Sequence, residues 1–112
     1  MRKLTMVALL IAGSLLFVQC GSSKKATASK TSFSKDVVSV FQTKCAPCHI
    51  PSAGGKKMAY DNIENVKKSI DDIIRRIELN PDQRGFMPKN NEKLNEATIA
   101  LIKKWKDEGM AE

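Results

Sequence analysis

The sequence is short of the groups a small protein uses to bind metals or to build sheets. It has one histidine and three cysteines in 112 residues. One of those cysteines, Cys20, stands far from Cys45 and Cys48, so the two separated ligand pairs of a closed zinc site are missing. Nowhere do apolar and polar side chains alternate over a sustained run, which excludes a sheet protein and removes the βαβ context of a thioredoxin-like redox pair. No apolar run reaches the roughly 20 residues of a membrane span. No segment repeats at a fixed period. A chain of this length holds at most one domain.

The excess of positive charge is misleading until it is located. Arg2, Lys3, Lys24, Lys25 and Lys30 are five of the 19 basic residues, so residues 31–112 carry 14 basic against all 12 acidic side chains, a balance of +2 rather than the whole chain's +7. That is no footprint for nucleic acid. Arg2 and Lys3 precede the apolar run 4–18, which has the basic flank and length of a secretory signal. The expected organisation is a lipoprotein-type signal peptide over 1–19, a lipidated Cys20 with a flexible tether over 20–32, and a folded domain over 33–112. Cys20 stands where a lipoprotein signal places its acylated cysteine, while Ala26, Thr27 and Ala28 form a competing pattern for ordinary signal cleavage. The tether, GSSKKATASKTS, has nothing large and apolar to bury.

About 80 residues remain, near the size at which one hydrophobic core supplies only a few kcal/mol and a staple is usual. The fold expected is all-α, with three or four short helices. Val37, Val40, Phe41 and Lys44 fall on one helical face with Phe33 a turn earlier; Ser34 is the expected N-cap and Asp36 suits the first turn. Loop signals follow in IPSAGGKKM. Ile63, Val66, Ile70, Ile73, Ile74 and Ile77 then recur at spacings of three and four over 61–78, as one helix or as two joined near Ser69, ended by Asn80 and Pro81. After a second irregular loop, Asn95 is the expected N-cap of a last helix with Leu94 and Ile99 as its hydrophobic staple, a buried stripe of Leu101, Ile102 and Trp105, and Gly109 at its end.

The staple is to be sought in TKCAPCHIP, residues 43–51. A redox disulfide wants its C-x-x-C at a helix N-terminus, where the dipole lowers the thiol pKa, whereas Cys45 and Cys48 follow a helix. A structural bridge between them closes too small a loop to stabilise much. Covalent haem attachment accounts for more: each thiol can add across a vinyl group, and the adjacent His49 is then the proximal ligand. A porphyrin would also supply the apolar bulk that so small a domain lacks. A sixth ligand is available in Met87, within RGFMPK and stiffened by Pro88. Met58, nine residues after His49, is the rival, and Met110 is expected in a frayed end.

CAPCH, GFMP and the terminal LNEATIALIKKWKDEGM together resemble the small monohaem class I cytochromes c of bacteria, especially those exported as lipoproteins, over essentially all of 33–112. The resemblance implies a cytochrome c-like bundle around one covalent haem c, with Cys45 and Cys48 as thioethers, His49 proximal and Met87 distal. It also implies that the first and last helices pack crosswise beside the haem, with Phe41 and Trp105 at or near the contact. Arg76 and Arg84 are candidate propionate partners, solvated arginine being the plain alternative. His49 is expected to donate its other ring N–H to a carbonyl within 50–57.

Iron closed on both sides by protein favours electron transfer over catalysis, and the chain is not expected to be an enzyme. The alternative is a haem-based sensor or peroxidase-like protein with an open or labile distal site. Expected partners are a redox donor and a redox acceptor, with Lys44, Lys56, Lys57 and Lys89 as a docking ring for an acidic surface or as ordinary solubilising lysines. A lipid on Cys20 would tether a monomeric domain to a membrane on the periplasmic side of the cell envelope.

Overall fold

A computed structural model describes residues 28–89 and 92–112. The expected leader and Cys20 lie outside the described residues. Those described are helical, with no strand among them. A π-helical turn, Phe33–Val37, leads into α1, Val38–Lys44; a short 3-10 turn spans Pro51–Ala53; α2 is Ile63–Glu78 and α3 is Glu96–Asp107. Among the described residues no helix is long and apolar enough to cross a membrane.

The first helix begins two residues earlier than Ser34 implied. Its N-cap is Ser32, whose hydroxyl accepts from the Lys35 amide at 3.1 Å, while Ser34 is exposed inside the first turn. That turn is wide because the Val38 amide reaches back five residues to the Phe33 carbonyl. Phe33, Val37 and Phe41 are thereby all buried, at 3%, 0% and 0% exposure.

Helix α2 is continuous. Val66, Ile70, Ile73 and Ile77 form one buried stripe, Asn62 caps the start through the Asn65 amide, and Lys67, Lys68 and Ser69 contain nothing that breaks a helix. Ser69 does not cap a second helix; its hydroxyl donates to the Met58 sulfur at 3.2 Å. The helix stops at Glu78, and Leu79 is extended ahead of Asn80 and Pro81. Helix α3 starts as its sequence implies: Asn95 Oδ1 accepts from the Thr98 amide at 2.8 Å, and both Leu94 and Ile99 are buried. Gly109 takes the left-handed φ of +98° past the helix end. Ile102 and Trp105 are buried, but Leu101 is only half-buried, at the edge of the stripe.

These faces meet in one core, in which α3 packs on α2 and on the π-helical turn. The contact between the first and last helices is made by Phe33, whose ring centroid lies 5.6 Å from that of Trp105; Phe41 is one ring further away, against Phe33. The two ends of the described chain are also fastened together. The Phe33 amide and the Trp105 indole N–H both donate to the Ala111 carbonyl, at 2.9 and 2.8 Å. Thr31, buried, donates its amide to Glu108 Oε2 at 2.7 Å, and the hydrogen bonds from Thr31, its side chain first and then its amide, hold the Glu108 carboxyl below the usual carboxylate range. Thr31 and Ser32 therefore belong to the folded domain rather than to the tether. Met110 is not frayed: it is half-buried against the core, and its amide donates to the Trp105 carbonyl at 2.9 Å.

Candidate functional site

Helix α1 runs directly into the cysteine motif. The Cys45 amide continues the helix by bonding to the Phe41 carbonyl, the His49 amide bonds to the Cys45 carbonyl, both at 3.0 Å, and the Ile50 amide bonds to Pro47 at 3.1 Å. This extra wind holds Cys45, Cys48 and His49 on one short segment. The thiols are free. Burial pushes the Cys45 thiol up to about 11, the opposite of the lowered pKa that makes an attacking thiolate. Among the described residues no three His, Cys, Asp or Glu side chains converge as metal ligands. Cys45, Cys48 and His49 are neighbours in sequence whose reactive atoms are not gathered on one point.

Past the motif the chain doubles back. The Gly55 amide bonds to Ile50, Lys57 to Cys48 and Tyr60 to the His49 carbonyl, at 3.0, 3.0 and 2.9 Å, so residues 55–60 run alongside 48–50. Only a residue without a side chain fits at 55, because a Cβ there would meet the Pro47 carbonyl oxygen and lie 2.6 Å from the Cys48 oxygen. The return strand of chain delivers the Met58 carbonyl to His49 Nδ1 at 2.8 Å. This is one residue beyond the expected 50–57 segment, because the chain turns over Gly55 before it comes level with the imidazole. A carbonyl only accepts, so Nδ1 carries the hydrogen and the lone pair of the neutral ring lies on Nε2. The Tyr60 ring stacks flat on the imidazole, 4.0 Å between centroids with 4° between planes, and meets Phe41 edge-on at 5.8 Å. The His49 ring is thus fixed by a hydrogen bond at its edge and by an aromatic face. Gly55→Ala is expected to force the return segment outward at a cost of about 1–3 kcal/mol. The check is a lower urea midpoint together with faster exchange of the His49 Nδ1 proton.

A cavity of about 400 Å³ opens beside this segment. Cys45, Cys48 and His49 line it, and so does Met87, which comes from the loop after α2, 38 positions later in the chain. Its apolar wall includes Ile73 and Ile77 from α2 and Pro88, while Tyr60, Asp72 and Arg76 add polar groups. The rival Met58 does not line it. Met58 is half exposed, and its sulfur takes the Ser69 hydrogen bond.

Of the two arginines considered, Arg76 lines the cavity and Arg84 is exposed away from it. Three of the four lysines, Lys44, Lys57 and Lys89, reach the cavity lining, and Lys56 does not. Asp72, one turn before Arg76, is held below the usual carboxylate range by its bonds from Arg76 and then from Arg75.

Tyr60 and Asp72 are site residues that sequence reasoning missed. Asp72 to Arg76 is a legible i to i+4 pair, but nothing in the sequence places the single tyrosine on the single histidine. No family model, curated protein or solved structure matches the chain.

Proposed function

We propose that the chain is an electron carrier of the c-type cytochrome kind, binding one covalent haem c. The observation that carries the reading is the convergence of Cys45, Cys48, His49 and Met87 on one cavity with an apolar wall. The donor set fits such a group. Two free thiols are available for thioether bonds, His49 offers Nε2 with Nδ1 already engaged, and Met87 offers a thioether sulfur from a distant segment. When bound, the haem supplies one-electron exchange between ferrous and ferric iron, with the methionine sulfur favouring the ferrous state.

The chain's own residues do the rest. Cys45 and Cys48 would hold the group as thioethers, each S–H adding across one vinyl bond. Met58 and Tyr60 fix the plane of the His49 imidazole, which would limit rearrangement on a one-electron step. Ile73, Ile77 and Pro88 exclude water. His49 and Met87 would both hold the iron and would leave no position for a substrate, so the reading is of a carrier and not an enzyme. Lys44, Lys57 and Lys89 put positive charge at the cavity, suited to steering an acidic redox partner to it at low salt. With a lipidated Cys20, the domain would work at a membrane surface outside the cytoplasm, where tethering raises its effective concentration near a donor or acceptor.

The test is the intact mass of protein exported in cells that have haem-maturation machinery, followed by extraction with acidified butanone. The expected mass includes one haem, and the red colour stays with the polypeptide. Colour that passes wholly into the butanone, or a colourless protein, overturns the reading. The same mass shows whether Cys20 carries lipid.

A further inference from the structure

The loop that carries Met87 has no helix or strand of its own, yet it must hold a sulfur atom steady. Residues 80–86 close a local turn: the Gln83 amide bonds to the Asn80 carbonyl at 2.9 Å and the Phe86 amide to the Gln83 carbonyl at 3.1 Å. Such a turn shapes the loop without fixing it to the rest of the molecule. Lys93 Nζ ties its start by donating to Asn80 Oδ1 at 3.3 Å, and two hydrogen bonds that fix its far end both involve Arg76. The Arg76 side chain donates from Nη1 to the Gly85 carbonyl, and the Arg76 carbonyl accepts from the Met87 amide, each at 3.3 Å.

The geometry around the first of these bonds is specific to arginine, while the second is accepted by the backbone carbonyl. Nε of Arg76 is anchored one turn back on its own helix by Asp72 Oδ2 at 2.6 Å, so the guanidinium is braced at one end and reaches the loop with the other. A lysine has one nitrogen and does not span both partners in this fork. The loop lies close over the guanidinium. A Cβ on Gly85, whose φ is +96°, would lie 3.7 Å from both Arg76 Nη1 and Leu79 Cδ1 and 3.9 Å from Arg75 Nη1. Between the two bonds Phe86 is buried, at 8% exposure. The neighbouring Arg75 also pairs with Asp72, but it is exposed and bonds to that carboxylate rather than to the loop backbone.

We propose that Arg76 is a positioning residue for Met87: braced by Asp72, it clasps the backbone on both sides of Phe86 and sets how long the Met87 sulfur stays directed into the cavity. The inference rests on the haem reading for its consequence, but the clasp itself is a property of the chain. Weakening it shifts the loop toward conformations in which Met87 has left.

The experiment compares Arg76→Ala, Arg76→Lys and Arg75→Ala in the full chain. Two quantities are read: amide hydrogen exchange over 85–87, and the rate at which ferric protein takes up cyanide, which requires Met87 to leave. Arg76→Ala is expected to raise both by roughly tenfold, about the worth of one hydrogen bond to a charged group at a half-exposed position. Arg76→Lys is expected to fall between Arg76→Ala and the unaltered protein. Arg75→Ala is expected to change neither by more than about twofold, as for an exposed ion pair. Unaltered exchange over 85–87 in Arg76→Ala overturns the proposal, and so does an equal rise in Arg75→Ala, which would mark a general loosening of α2. If Arg76→Ala does not fold, Arg76→Lys decides, since it keeps the charge and the helix propensity: exchange over 85–87 equal to that of the unaltered protein refutes the clasp. In a colourless protein the exchange arm still reads the clasp while the haem reading fails, so the two failures are distinguishable.

Discussion

In the haem-bearing protein proposed above, Met87→Ala is expected to turn a low-spin ferric spectrum with a near-infrared charge-transfer band into a high-spin spectrum that responds quickly to cyanide. The expectation follows from which sulfur can reach the cavity. Met87 lines it; Met58 is half exposed with its sulfur bonded to Ser69, and Met110 is packed against the core at the end of α3. No other methionine among the described residues stands ready to replace Met87. The same variant should lower the reduction potential, because the thioether donor that favours ferrous iron is gone. Absorbance from the Soret band to the near infrared, with a cyanide titration, makes the check. An unaltered spectrum would remove Met87 from the iron. A high-spin spectrum already present in the unaltered protein would instead favour the sensor or peroxidase-like reading, in which the distal position is open before any substitution.

The second large effect belongs to the core. Trp105→Ala removes a side chain with 0% exposure whose ring packs, tilted, against Phe33 and joins α3 to the π-helical turn. Truncations of this kind cost about 3–5 kcal/mol through lost burial and the cavity left behind. At roughly 0.05–0.15 kcal/mol per residue, a folded part of this size has only some 4–12 kcal/mol in total. The Ala111 carbonyl also loses the indole N–H, although it keeps the Phe33 amide, so no buried oxygen is orphaned. Urea unfolding should show the loss as a lower midpoint, with Trp105→Phe recovering part of it. A loss below about 1 kcal/mol would mean that the helix contact does not depend on this ring.

Much of the fold was legible because its signals are local. The α3 cap at Asn95, the staple of Leu94 and Ile99, and the left-handed Gly109 depend on residues within a few positions of one another, and each is present. Ser34 was mistaken for the first cap because Ser32 and Ser34 are equally good caps in isolation. Ser32 is selected because the neighbouring chain is bound to Ala111 and Glu108, nearly 80 residues away. The continuity of α2 was undecided for the same kind of reason. Ser69 can cap a helix or sit within one, and its partner, the Met58 sulfur, belongs to a loop whose path is not a local matter.

The sequence alone determined the helical architecture, through residue spacing, and the chemistry on offer, through two thiols and an imidazole in five residues. Which methionine shares their cavity, which carbonyl holds the imidazole, and that Tyr60 covers it were decided only when the chain folded back over Gly55 and the loop after α2 closed onto Arg76. Those outcomes turn on hydrogen bonds and ring contacts between segments that have no preference for one another until the core of α2 and α3 brings them together.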